Sequence, residues 1–129
     1  MRDRATHTQT SGIILFAHGA RDPQWAEPFR RLKEMIAARR PDARVEIAFL
    51  ELTQPDLDHA VAGLAAGGVS AITLVPLFMA EGGHLKRDVP LMLEAIRRRH
   101  PGTAITLAPA IGDAEPVLSA IADWICGVA

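Results

Sequence analysis

Four alternations of a short apolar run with an amphipathic segment predict an α/β protein built on a doubly wound, four-stranded parallel sheet with helices on both faces. The chain has 129 residues, of which 49% are apolar. That suits one ordinary domain with its own core and excludes a disordered chain. Right-handed crossovers leave few orders for four such strands, and 2-1-3-4 is the simplest of them.

The first strand is expected at Ile13–Ala17, behind a polar, frayed tail at residues 1–11; the domain then runs over residues 12–129. Trp25, Phe29, Leu32 and Ile36 follow at spacings of four, three and four, the stripe of a helix that should end near Arg39-Arg40-Pro41. The second strand is expected at Val45–Leu50, running into Glu51. Thr53-Gln54-Pro55-Asp56 reads as a helix start with Thr53 as cap and proline in the first turn. Leu57, Val61 and Leu64 form the buried face of that helix, and Gly67-Gly68 ends it.

The third strand, Ala71–Val75, is rich in β-branched residues and stops at Pro76. The next helix carries Val89, Met92, Leu93 and Ile96. Because proline suits only the first turn, Pro90 sets the expected start near Asp88 and leaves His84 in the preceding loop. The fourth strand spans roughly Ala104–Leu107. A last helix, capped by Asp113 with Pro116 in its first turn, is expected to bury Val117, Ile121, Trp124 and Ile125.

No apolar run is long enough to span a bilayer, and no apolar stretch with a cleavage site follows the N-terminus, so neither a membrane nor export is expected. The formal charge of −1 gives no reason to expect nucleic acid. Cys126 is the single cysteine, which precludes an intramolecular disulfide and fits a reducing cytoplasm.

The residues that invite chemistry are two histidines just past apolar runs. His18 follows Ile13-Ile14-Leu15-Phe16-Ala17, and His84 follows the run ending in Phe78 and the pair Gly82-Gly83. Each is followed by a basic-acidic pair, Arg21-Asp22 and Arg87-Asp88. A doubly wound sheet gathers its functional groups at the carboxyl ends of its strands, and order 2-1-3-4 places the two histidines on opposite lips of one crevice. Glu51, ending the second strand, projects from the same edge. Two imidazoles and a carboxylate suit divalent iron, cobalt or nickel, and zinc less exclusively. Arg21, Lys86 and Arg87 flank this edge at helix starts, where cations oppose the helix dipole, so they are expected to answer an anionic ligand.

Competing motifs are missing. No Gly-x-Gly-x-x-Gly or Gly-x-x-x-x-Gly-Lys-Ser/Thr cradles a phosphate, so no nucleotide is expected. Ala17 stands where a histidine phosphatase needs arginine and a response regulator needs an acid, and neither serine nor cysteine sits as a nucleophile beside a strand end. His7, His59, His100 and Cys126 fall outside the crevice.

At these residues the chain resembles the small form of the CbiX/SirB family of class II tetrapyrrole chelatases. The resemblance runs from about Gly12 to Ile125. It is carried by Phe16-Ala17-His18-Gly19-Ala20-Arg21-Asp22-Pro23, by Val45 to Glu51, and by Val75-Pro76-Leu77-Phe78 leading into Gly82-Gly83-His84-Leu85-Lys86-Arg87-Asp88. Ala20 stands where the family often has serine. The resemblance implies an ATP-independent lyase that inserts cobalt or iron into sirohydrochlorin for cobalamin or sirohaem. His18 and His84 match the metal-binding histidines, and Glu51 accompanies them. It further implies a homodimer, with Leu77, Phe78 and Met79 lining the macrocycle pocket or the dimer contact. Two alternatives remain open, a non-catalytic metal or tetrapyrrole carrier and a nickel chelatase of the same fold.

Overall fold

The computed structural model describes residues 10–129. Strand β1 spans Ser11–Ala17, and a 3-10 turn at Pro23–Ala26 leads into helix α1, Glu27–Arg39. Strand β2 is Ala43–Phe49, α2 is Leu57–Ala66, β3 is Ala71–Pro76, α3 is Gly83–Arg99 and β4 is Ala104–Leu107. A 3-10 turn at Ile111–Asp113 precedes α4, Glu115–Val128. All pairings are parallel and the order is β2-β1-β3-β4, as the alternating pattern predicts.

The core on one face joins Ile14 and Phe16 of β1 and Ile72 and Leu74 of β3 to Val61 and Leu64 of α2 and to Val89, Leu93 and Ile96 of α3. A smaller cluster on the other face brings Phe29 of α1 against Ala17, Ile47 and Phe49. Alternation along each strand makes this two-sided burial possible.

Four boundaries differ from expectation. Residues 1–9 of the anticipated tail lie outside the described residues, but Ser11 opens β1 opposite Ala43 and Ala71, and the Thr10 carbonyl accepts from the amides of Ser70 and Ala71. Backbone pairing is indifferent to the polar side chains there. The cap of α2 is Asp56, whose side chain accepts from the His59 amide at 2.9 Å; Thr53 is bonded elsewhere, and Pro55 precedes the helix. Helix α3 begins five residues before Asp88. The Lys86 amide bonds the Gly82 carbonyl, and the helix continues through Pro90, where the missing N–H forgoes one backbone bond while Val89 and Leu93 remain buried on either side. His84 therefore stands in the first turn of α3, not in a loop.

The fourth difference concerns α4. Its N-cap position is Ala114, with no side-chain cap, and the helix buries none of its residues fully. Val117 and Ile121 are half-buried, but Trp124 and Ile125 are exposed. Across β3 and β4, the residues that alternate with the buried Ile72, Leu74 and Ile105, namely Ala71, Thr73, Ala104 and Thr106, are exposed too. Parallel sheets are ordinarily covered on both faces. Among the described residues α1 covers only the β2–β1 part of this face.

Candidate metal-handling site at the carboxyl edge of the sheet

The β1–β2 ladder ends with the Leu50 amide donating to the Ala17 carbonyl at 2.8 Å, and His18 and Glu51 are the next residues on either side. His18 Nδ1 lies 3.2 Å from Glu51 Oε1. The side chains are 48% and 41% exposed, so the pair contributes little to stability, and its consequence is orientation. With its proton on Nδ1 and donated to Glu51, the ring keeps its lone pair on Nε2, as a carboxylate-backed ligand does for a metal.

Two aromatic residues fix His18 further. Its ring lies against Phe78, centroids 4.8 Å apart, and Phe78 in turn meets Phe16 edge-on at 5.8 Å. The Trp25 indole N–H donates to the His18 carbonyl at 2.7 Å. Gly19 passes so close to the neighbouring loop that a Cβ there would overlap the Glu51 carbonyl oxygen. The Thr53 hydroxyl accepts from the Ala20 amide at 3.0 Å and donates to the Ala20 carbonyl at 2.8 Å.

His84 stands differently. Its side chain is 86% exposed, and its Nδ1 lies 3.2 Å from Asp88 Oδ2, one helical turn on. The structure thus joins His18 to Glu51 and His84 to Asp88. It does not bring His18, Glu51 and His84 into one cluster, and no group of three or more potential ligands close enough to share a metal occurs among the described residues.

The basic residues are spread along this edge. Arg21 and Lys86 are exposed, Lys86 bordering a groove of about 360 Å³ with Pro76, Leu107 and Asp113; Arg87 donates through Nε to the Gly83 carbonyl at 3.2 Å. In the β3–α3 loop, Leu77 packs half-buried against Ala17 and Phe49, Phe78 is buried under His18, and Met79 is exposed. The Phe78 carbonyl accepts from the Gly112 amide, and a Cβ on Gly112 would overlap the Met79 carbonyl, so the β4–α4 connection is seated on this loop.

Phe78 is expected at the site as a pocket wall and lies under His18. Two residues escape a reading of the sequence for ligands: Trp25 reads there as part of a helix stripe and Thr53 as a cap. The close approach of two loops is what recruits them, and its one sequence signal is Gly19 directly after His18.

Comparison with known proteins agrees with this architecture. The family model described as CbiX matches residues 12–126. A sirohydrochlorin cobaltochelatase of Sulfurisphaera tokodaii is 35% identical over 106 residues, 82% of this chain and 83% of that protein. One from Methanosarcina acetivorans is 36% identical over 67% of this chain and 66% of its own length. Among solved structures, a CbiX protein from Marinobacter aquaeolei VT8 is 40% identical, with a TM-score of 0.79 over 91% of this chain and 95% of that one. The sirohydrochlorin chelatase SirB of Bacillus subtilis subspecies spizizenii, solved in complex with cobalt, is 26% identical with a TM-score of 0.77, and the match spans 93% of this chain and 51% of SirB. The family model and these relatives place the chain in the CbiX family.

Proposed function

We propose that the protein is a sirohydrochlorin chelatase that inserts divalent cobalt or iron into the macrocycle without nucleotide. The observation that carries this reading is His18 at the carboxyl edge of β1, half-exposed, with Nδ1 backed by Glu51 and its ring seated on Phe78. Metallation removes two pyrrole protons and delivers a partly desolvated cation. An imidazole can serve both in turn. The nitrogen that holds the ion loosely is vacated as the ion moves to the macrocycle and then takes up one pyrrole proton, so two histidines account for both protons. In this reading His18 and His84 each offer one nitrogen to the incoming ion, and Glu51 acts chiefly by orienting His18. Arg21, Lys86 and Arg87 meet the carboxylates of the macrocycle, and Leu77, Met79 and the buried Phe78 form the apolar floor. Relatives named cobaltochelatases and the SirB complex with cobalt support cobalt, and a Bacillus subtilis SirB structure with Fe3+ supports iron as a metal that a related chain holds. Nickel is a third substrate to test. The single cysteine suits a reducing cytoplasm, and no helix of the described residues is long and apolar enough to cross a membrane.

The test is purified protein with sirohydrochlorin and cobalt, iron or nickel in turn, followed by the absorbance change on metallation. Multiple turnovers above the spontaneous rate are expected for cobalt or iron; stoichiometric binding without turnover would mark a carrier instead. His18→Ala and His84→Ala are each expected to lower the rate at least about 100-fold, the scale of losing a directly acting group. Rates near wild type in both variants would overturn the assignment.

The working unit in this reading is a homodimer. It would bury the two surfaces a single chain leaves open, the apolar stripe of α4 with Trp124 and Ile125 and the uncovered face of β3 and β4. Light scattering is expected to give twice the chain mass, and Trp124→Glu with Ile125→Asp the mass of one chain.

A further inference from the structure

Beyond the last rung of the β1–β2 ladder no regular pairing holds the loop after β1 to the loop after β2, yet His18 and Glu51 meet across that gap. The loop after β2 reverses within three residues. The Thr53 amide donates to the Glu51 carbonyl at 2.8 Å, and Leu52 between them has φ of 65°. A leucine in the left-handed region is strained, and its side chain is 63% exposed, so burial does not offset the strain. Something nearby must hold the turn in this shape.

The Thr53 hydroxyl is the group placed to do so. It uses its proton on the Ala20 carbonyl and a lone pair on the Ala20 amide, so one oxygen closes both backbone groups of the residue two places after His18. Gly19 lies between, against the Glu51 carbonyl. On one side the tie fixes the backbone that carries His18; on the other it fixes the turn that carries Glu51.

We propose that Thr53 is the positioning residue of the site, its hydroxyl locking the two loops together so that Glu51 stays on His18 Nδ1 and Nε2 stays open to the metal. The proposal rests on the chelatase reading for its consequence in turnover, but not for the hydroxyl tie. Thr53 touches neither metal nor macrocycle, and acts through the orientation and tautomer of His18. Carboxylate partners of this kind set which imidazole nitrogen is available, and disturbing them costs about 10- to 100-fold in affinity or activity.

The variants are Thr53→Val, which keeps the shape and removes the hydroxyl, Thr53→Ala, and Thr53→Ser, which keeps the hydroxyl. Two readouts are needed: steady-state cobalt insertion into sirohydrochlorin, and the 15N shifts of the His18 ring in metal-free protein. Thr53→Val and Thr53→Ala are expected to fold and to lower kcat about tenfold or more, with KM for sirohydrochlorin within about twofold of wild type. Their 15N pattern is expected to move from one dominant Nδ1–H tautomer toward an average of two. Thr53→Ser is expected to restore both readouts to within about threefold of wild type.

An unchanged tautomer pattern in a folded Thr53→Val or Thr53→Ala protein would overturn the proposal. So would a serine variant as impaired as the valine one, because packing of the methyl would then be the cause. If valine and alanine both abolish folding, Thr53 is a residue of the fold and the positioning role is lost. If wild type inserts no metal, the chelatase reading falls, and the 15N comparison still decides whether Thr53 sets the His18 tautomer.

Discussion

The two histidines at the carboxyl edge stand in opposite mechanical settings. His18 is held at four points: its ring against Phe78, its carbonyl on the Trp25 indole, its Nδ1 on Glu51, and its loop on the Thr53 hydroxyl. His84 rests on the first turn of α3 after two glycines at which an added Cβ would meet nothing within 4 Å, and its partner Asp88 lies on its own helix. In the proposed reaction a group built in place before the ligand arrives serves orientation. One that stands in open solvent acquires its setting from what docks against it. The edge is therefore half pre-formed, and its open half faces outward.

The sharpest way to break this contrast is Gly19→Ala. A Cβ at Gly19 would overlap the Glu51 carbonyl and press the Thr53 hydroxyl, so the two loops must part. Backbone cannot yield as a flexible side chain can, and an overpacked site of this kind costs about 3 kcal/mol. Chemical denaturation is the measurement, with the same 15N observation of His18 expected to show the Glu51 contact broken. A variant as stable as wild type would mean that the tied side is looser than its hydrogen bonds imply.

Much of this edge is legible in the sequence. Periodicity and glycine–proline punctuation place all four strands within two residues of their bounds, and the crossover rule selects their order. His18 and Glu51 fall at strand ends as expected. What the sequence conceals is competition between local signals. Thr53 and Asp56 both suit a helix cap; tertiary contact with Ala20 claims the first and leaves the second to cap α2. Pro90 argues for a late start to α3, but burial of Val89, Leu93 and Ile96 outweighs one lost backbone bond, and Leu85, packed against the same core, carries the helix back past His84. The stripe on α4 is read correctly as apolar and wrongly as buried, because a periodic stripe says that a helix has an apolar face and not that its own chain covers it.

The helix N-termini that follow β2 and β3 repeat the contrast at a smaller scale. Helix α2 is capped by Asp56, whose carboxylate accepts from the His59 amide at 2.9 Å and meets its ring at 2.7 Å; α3 has Gly82 at its N-cap position and no side-chain cap. Asp56→Ala is expected to cost about 1 kcal/mol, the usual worth of such a cap. The backbone bond from His59, followed by the bond from its ring, holds the Asp56 carboxyl below its ordinary value of 3.8, and the bond to Asp56 raises His59 above 6.5. The Asp56 contribution is therefore full above its ordinary value and fades as pH falls through the lowered one. The ring's share is full below 6.5 and fades as pH rises through the raised value. Thermal melts of wild type and variant should differ most at about pH 5 to 6, and converge toward strong acid.

The smallest expected effect belongs to Gly83→Ala, and it tests the open side directly. Gly83 is the first residue of α3, directly before His84, and space surrounds it. Alanine there meets no atom and suits a helix better than glycine does, which leaves stability within about 0.5 kcal/mol of wild type. Set beside the loss at Gly19, that near-zero would confirm that only the His18 side of the edge is packed by its own chain. A cost comparable to that of Gly19→Ala would break the comparison in an informative way. It would mean that in solution something presses on the first turn of α3, and the neighbour with an unpaired apolar surface to offer is a second copy of this chain. Repeating the measurement with Trp124→Glu and Ile125→Asp present would then separate the two origins, because a cost that comes from the partner disappears when the partner leaves.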